Sequence, residues 1–192
     1  MLASHFQKEG KAVLLTREPG GTAISDQIRT ILLDSANKKM VPECEILLYS
    51  AARAQHVREV ILPALATGQI VLCDRFIDAT RAYQGGGRGF SADVVEKLIS
   101  FSCPLLKVNL TILLDCDPEI GLKRSRARLV KTNALEKEGR FEEEAISFHQ
   151  KVRAGYLKIA KAEPQRVIVI NSEQDPKKIH EEILKLVQLK LK

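Results

Sequence analysis

The sequence predicts an α/β domain in which a parallel sheet is flanked by helices. Four short runs carry most of that expectation: Ala12-Val13-Leu14-Leu15-Thr16, Ile70-Val71-Leu72-Cys73-Asp74, Leu110-Thr111-Ile112-Leu113-Leu114-Asp115 and Arg166-Val167-Ile168-Val169-Ile170. Each is almost continuously apolar rather than alternating, the pattern of a strand covered on both faces. The stretches between them have helical periodicity and are long enough to serve as crossover helices. Helix-start signals fall in those stretches. With 192 residues, the chain is sized for one such domain spanning its whole length.

In chain order, residues 1–9 form a short helical fragment ahead of the first run, an unusual opening that suggests a segment is missing upstream. The first run leads into Arg17-Glu18-Pro19-Gly20-Gly21-Thr22, whose proline and two glycines make a turn with an accessible backbone. Tyr49 and Arg53, four apart on the following helix, share a face. The second run ends in Asp74-Arg75-Phe76, followed by Tyr83-Gln84-Gly85-Gly86-Gly87-Arg88-Gly89. Ser91 caps a helix carrying Val94, Val95, Leu98 and Ile99. The third run ends in Asp115-Cys116-Asp117. There and at Asp175-Pro176, an acceptor precedes a proline at the first helical position. Residues 123–144 are almost all charged or small and read as a mobile, solvated excursion. After the fourth run, the tail from Lys177 lines Ile179, Ile183, Leu184 and Val187 along one face.

Composition narrows the class. Apolar residues at 45% and charged residues at 28% describe a globular chain rather than a disordered one. The net charge of +6 is mild; it is compatible with nucleic acid and equally with a pocket for phosphorylated metabolites. Cys44, Cys73, Cys103 and Cys116 form no C-x-x-C pair, which favours a reduced, intracellular protein. No apolar stretch reaches the roughly 18 residues of a membrane span, and the first residues lack the features of a signal peptide. The histidines His5, His56, His149 and His180 have no zinc-ligand spacing, and no Gly-x-Ser-x-Gly elbow is present.

In parallel α/β folds, ligands gather beyond the carboxyl ends of the strands. Three of the four runs end there in polar groups. Asp74 could hold Mg²⁺, mostly through water, and Arg75 could fork onto a phosphate; a structural salt bridge is the alternative for this pair. Tyr49 and Arg53 suit a clamp for a planar base, although a surface pair is also open to them. The glycine run 85–89 suits a loop that closes over a ligand, or one that is merely flexible. Lys123, Arg124, Arg126, Arg128 and Lys131 could neutralise charge on a transferring phosphoryl group, or form a solvated basic face.

Taken together these segments resemble bacterial thymidylate kinases. The stretches that carry the resemblance are 16–22, Ala51-Ala52-Arg53-Ala54-Gln55-His56-Val57, Pro63-Ala64-Leu65, Asp74-Arg75-Phe76, 82–89, Gly121-Leu122-Lys123-Arg124, Arg140-Phe141-Glu142 and Arg153-Ala154-Gly155-Tyr156-Leu157. They run in the family's order over essentially the whole chain. The resemblance implies a fold of the P-loop nucleoside monophosphate kinase type and transfer of a phosphoryl group from ATP to dTMP, giving dTDP in a cytoplasmic homodimer. It implies that Tyr49 stacks on thymine and Arg53 reads a thymine oxygen. Arg75 holds the monophosphate, Asp74 lies near Mg²⁺, and Tyr83 packs on the deoxyribose. Thr80 and Gln84 lie beside the base or sugar, and Arg17 and Glu18 belong to the substrate loop. Arg124, Arg126 and Arg128 are lid arginines on a segment at about 121–141. Neither nucleic acid nor membrane is an implied partner.

The sequence departs from the family most at its start. The family opens with a strand and Gly-x-x-x-x-Gly-Lys-[Ser/Thr], and no such motif occurs in these residues. Without it there is no loop to cradle the ATP phosphates, and the sheet lacks a central strand. The expectation is that Met1 is an internal methionine of a longer chain and that the 192 residues alone are inactive as a kinase. The alternative is a non-catalytic dTMP-binding remnant; a nucleic-acid-binding protein is a third, weaker reading, since few aromatics interleave with the basic residues. Smaller departures are Ala79, where a serine is usual, and Gly139, where aspartate is common.

Overall fold

A computed structural model describes residues 1–104 and 106–190. The chain runs α1 (Leu2–Lys8), β1 (Val13–Arg17), α2 (Ala23–Leu33), α3 (Pro42–His56), α4 (Leu62–Ala66), β2 (Ile70–Asp74), α5 (Ile77–Thr80), α6 (Ala92–Ser102), β3 (Thr111–Asp115), α7 (Pro118–Lys131), α8 (Leu135–Glu138), α9 (Ile146–Ala162), β4 (Val167–Asn171) and α10 (Pro176–Lys190). All four strands fall on the predicted runs, displaced by at most one residue. Among the described residues no helix is long and apolar enough to cross a membrane.

The strands pair in parallel, as two separate ladders. β1 lies on β2 with Val13 opposite Ile70 and Arg17 opposite Asp74, while β3 lies on β4 with Thr111 opposite Val167 and Asp115 opposite Asn171. The continuous apolar runs predict strands covered on both faces. Instead Leu15 is 69% exposed and Leu114 49%. Two strands make too narrow a sheet for the surrounding helices to cover both sides.

The helix signals act as expected. Asp117 accepts from the Glu119 amide at 2.9 Å, Asp175 from Lys177 at 2.8 Å, Ser91 from Val94 at 3.4 Å and Thr22 from Ser25 at 3.1 Å, satisfying amides that the first helical turn leaves free. Two wide, π-type turns interrupt the helices, at Val57–Ile61 and Arg81–Gly87. The first precedes Pro63, which has no N–H to return to the Glu59 carbonyl. The second takes up the glycine run, its width marked by the Arg88 amide donating to the Tyr83 carbonyl at 2.9 Å.

The main core packs Ile46, Val57, Ile61, Ile77, Val95, Ile99 and Cys103 between α3, α5 and α6. Residues 123–144 differ from the solvated excursion that their charge suggests. α7 extends to Lys131 and α8 follows, with Leu129, Arg140 and Phe141 buried. A few inward anchors are enough to fix a helix whose other positions are charged.

One buried ionic network ties the second wide turn to the β3–β4 pair. Asp78, 5% exposed, accepts from both terminal nitrogens of Arg166 (2.7 and 2.9 Å), from Arg81 (3.0 Å) and from the Thr111 hydroxyl (2.8 Å). Burial pushes the Asp78 carboxyl pKa up, but the hydrogen bonds from Arg166 and Thr111 outweigh it and the net shift is downward. Asp78→Ala is expected to lower the unfolding free energy by about 2–3 kcal/mol, below the value for a wholly buried pair because water reaches both arginines. Urea denaturation measures this, and a loss under about 0.5 kcal/mol would show the network to be solvated.

Candidate active site

The site is built at the carboxyl ends of β1 and β2, where the strands hand over to residues 17–22 and to Arg75. The Glu18 amide donates to the Asp74 carbonyl at 2.9 Å, which extends the ladder and sets the two loops side by side. Arg75 has φ of 63°, a left-handed conformation unusual for a side-chain-bearing residue. Its exposed guanidinium lies 5.1 Å above the Tyr83 ring. Tyr83 packs edge-on against Phe141, Phe148 and Tyr156 at 5.5–6.3 Å, and Tyr49 approaches Phe141 at 6.4 Å. Burial pushes the Tyr49 and Tyr156 phenols up, beyond the range in which they ionise in neutral water. They stay neutral beside Arg75.

A second group lies one helical turn from Tyr49. Arg53 is 2% exposed. Its Nε donates to Glu18 Oε2 at 2.9 Å and its Nη2 to the Thr80 hydroxyl at 2.6 Å, while its buried Nη1 has no partner among the described residues. His56, fully buried, bridges Glu18 Oε1 at 3.3 Å and the Thr16 hydroxyl at 2.7 Å. An unsatisfied buried N–H on a guanidinium is costly, and a ligand acceptor would relieve it.

A third group supports the aromatic wall. Glu45 accepts from Gln84 at 2.9 Å, from Arg88 at 3.1 and 2.9 Å, and from Arg140 at 2.8 Å. The Arg88 guanidinium lies 4.5 Å from the Phe148 ring centre, and that of Arg140 4.5 Å from Phe141.

The structure thus brings together Glu18, Tyr49, Arg53, Arg75, Thr80 and Tyr83 from among the residues singled out by sequence. Arg17 is exposed and pairs with Asp26 at 3.6 Å. Asp74 is exposed at the strand end. Gln84 is buried and donates to Glu45 at 2.9 Å. The α7 arginines are exposed: Arg124 donates to the Ser172 carbonyl at 3.2 Å and Arg126 to the Glu142 carbonyl, with Arg128 on the same helix. Two surface hollows, of about 390 and 480 Å³, lie beside Lys123 and Arg126 and beside Lys38 and Cys44. Among the described residues no three metal-ligating side chains gather.

Sequence reading passes over Glu45 and gives no role to His56 or Tyr156. The signal for the first two was present, since 45, 49, 53 and 56 follow one another at helical spacing on α3. Arg153 is also without a role in the sequence; it forks onto Asp115 at the end of β3 at 2.7 and 2.8 Å.

Comparison with known proteins identifies relatives over most of the chain. The family profile described as "Thymidylate kinase" matches residues 1–183. A thymidylate kinase of Geotalea daltonii is 57% identical over 171 residues, covering 89% of this chain and 80% of that protein. One of Trichlorobacter lovleyi is 52% identical over 179 residues, 93% of this chain and 84% of that protein. Among solved structures, a thymidylate kinase from Ehrlichia chaffeensis superposes with a TM-score of 0.73 at 30% identity, covering 97% of this chain and 88% of that one.

The Glu45 cluster has a testable acid dependence. Burial pushes the Glu45 carboxyl up, but hydrogen bonds from Arg88 and Gln84 and the Arg88 and Arg140 charges bring it below its ordinary value. A lowered folded pKa means its stabilisation is complete above the unfolded value of about 4.3 and disappears as pH falls through the folded one. Glu45→Gln is expected to cost about 2–3 kcal/mol at pH 7 and to flatten the loss of stability on acidification. Urea titrations at several pH values read both effects; an unchanged slope below pH 5 would show that Glu45 contributes nothing to it.

Proposed function

This chain belongs to the thymidylate kinase family, and we propose that its site takes up dTMP and presents it for phosphoryl transfer from ATP, giving dTDP. The observation that carries the reading is the unpartnered, buried Nη1 of Arg53, one turn from Tyr49. A pyrimidine lying on the Tyr49 ring can offer a carbonyl oxygen to that donor. Glu18 and Thr80 hold the rest of the guanidinium. Arg75, exposed and backed by tyrosines, forks onto the monophosphate. Tyr83 packs against the deoxyribose and disfavours a 2′-hydroxyl. Gln84 stiffens the base site through Glu45, and Arg17 lies at the rim.

Transfer between two polyanions needs alignment and positive charge more than a covalent catalyst. Arg75 holds the acceptor phosphate, while Tyr49 and Arg53 fix the base. On this reading residues 121–141 are the lid, and Arg124, Arg126 and Arg128 neutralise charge on the group in transit. Asp74 fits a Mg²⁺ held mostly by water and phosphate: it is an exposed carboxylate, whereas nearby Glu18, Asp78 and Asp115 are engaged by arginines. Asp74 would hold such an ion, which would offset phosphate charge during transfer.

The ATP phosphates have no Gly-x-x-x-x-Gly-Lys-[Ser/Thr] loop in these residues. Turnover of ATP in this family needs such a cradle, and the described strands form two unjoined ladders with apolar side chains exposed. The 192 residues alone then bind dTMP and turn over little of it. The functional unit is a homodimer packed through helices; exposed Leu47 and Ala51 on α3 and Val94 and Phe101 on α6 favour it.

Calorimetry on the chain is expected to detect dTMP binding, weakened at least about 30-fold by Arg75→Ala. An ADP-release assay is expected to show dTMP-dependent turnover once the strand and loop are added upstream, and little without them. Absence of dTMP binding sinks the site. Binding without turnover by the extended protein sinks the kinase reading and favours a binding remnant. Sedimentation is expected to give twice the chain mass, and Phe101→Glu to reduce it to one.

A further inference from the structure

We propose that His56, which is positioned to touch no ligand, sets the base selectivity of the site by fixing the orientation of Arg53 through Glu18. The proposal rests on the dTMP reading of that site and adds to it a positioning residue. His56 is completely buried and both its ring nitrogens have partners inside the protein, so it has no free polar atom to offer a ligand. Its two ring nitrogens are both engaged, Nδ1 with Glu18 Oε1 at 3.3 Å and Nε2 with the Thr16 hydroxyl at 2.7 Å. A carboxylate only accepts, so Nδ1 carries a proton toward Glu18, while the Thr16 hydroxyl, able to donate or accept, pairs with Nε2.

The loop leaves the ring little room to turn. A side chain at Gly21, where φ is 91°, would bring its first carbon within 2.6 Å of His56 Nε2 and 2.8 Å of Thr16 Oγ1. The backbone of the substrate loop therefore sits directly on the imidazole. With Oε1 held by the ring, the Glu18 carboxylate presents Oε2 to Arg53 Nε at 2.9 Å, and Thr80 takes Nη2 at 2.6 Å. Two fixed points on a planar guanidinium determine where its third nitrogen lies. That nitrogen is the unpartnered Nη1.

This has a consequence for selectivity that a purely structural histidine would not have. A base carbonyl satisfies Nη1, whereas an amino group at the same ring position leaves it unpaired and sets donor against donor. Discrimination between thymine and cytosine then depends on how rigidly Nη1 is held. Loosening Glu18 lets the guanidinium turn away, so affinity for the carbonyl base falls while affinity for the amino base, which gained nothing from Nη1, stays nearly constant.

The test is calorimetric titration of the chain with dTMP and dCMP, for the wild type and for His56→Ala, His56→Asn and Thr16→Val. The expected result for His56→Ala is a loss of dTMP affinity of about tenfold or more with dCMP changed less than about threefold. His56→Asn, whose amide can still donate to Glu18, is expected to restore most of the ratio. Thr16→Val, which removes only the hydroxyl brace, lowers the ratio in the same direction and carries the test if His56→Ala does not fold. An unchanged dTMP-to-dCMP ratio in the folded variants, or equal weakening of both ligands, overturns the proposal and leaves the dTMP site standing. A wild type that binds neither monophosphate overturns the site and this role with it.

Discussion

One carboxylate, Glu45, holds three distant stretches of chain against each other. It sits on α3 and takes hydrogen bonds from Gln84 and Arg88 in and after the second wide turn and from Arg140 beyond α8. Isolated in a protein interior, any one of these charges would be expensive; together they satisfy one another. The two guanidinium planes then cover Phe148 and Phe141, which in turn support Tyr83 and Tyr49. The aromatic wall is therefore set by ion pairing behind it, and side-chain volume alone does not fix its shape. Glu18 does the same for the neighbouring group, with Arg53 and His56 as its partners.

Elements written in local patterning were legible. The strands announce themselves by β-branched runs, and the starts of α6, α7 and α10 by a capping side chain with or without proline, because these signals act within a few residues. The residues at strand ends were legible for a topological reason: a parallel sheet gathers its carboxyl ends on one side, so Glu18, Asp74 and Arg75 had to be neighbours. What escaped depends on contacts distant in sequence. Arg140 and Glu45 are 95 positions apart, and nothing in either neighbourhood marks the partner. Residues 123–144 misled because charge density reports what faces water and says little about a few inward anchors such as Leu129 and Phe141.

The paired ladders show how strongly strand signals depend on what lies next to them. Leu15 and Leu114 belong to runs that read as buried, yet about half or more of each is exposed, since a pair of strands gives the helices too little sheet to cover on both faces. β2 and β3 each have a single ladder partner among the described residues, leaving backbone groups available along their other edges. The local chemistry of the site is less affected. Its groups hang from α3, from the loop after β1 and from the turn after α5, which are tied to one another by side-chain bonds across the loop.

Gly86 and Gly155 let the second wide turn and α9 approach closely. A carbon added at Gly86 would lie 3.1 Å from the Lys151 carbonyl oxygen, and one added at Gly155 3.1 Å from the Ala82 α-carbon. The wide turn and α9 thus touch backbone to backbone, with nothing compressible between them. Tyr83 on one and Tyr156 on the other meet edge-on with ring centres 6.3 Å apart. A side chain at either glycine would push the two apart by a few tenths of an ångström, and the Tyr83–Tyr156 spacing with them.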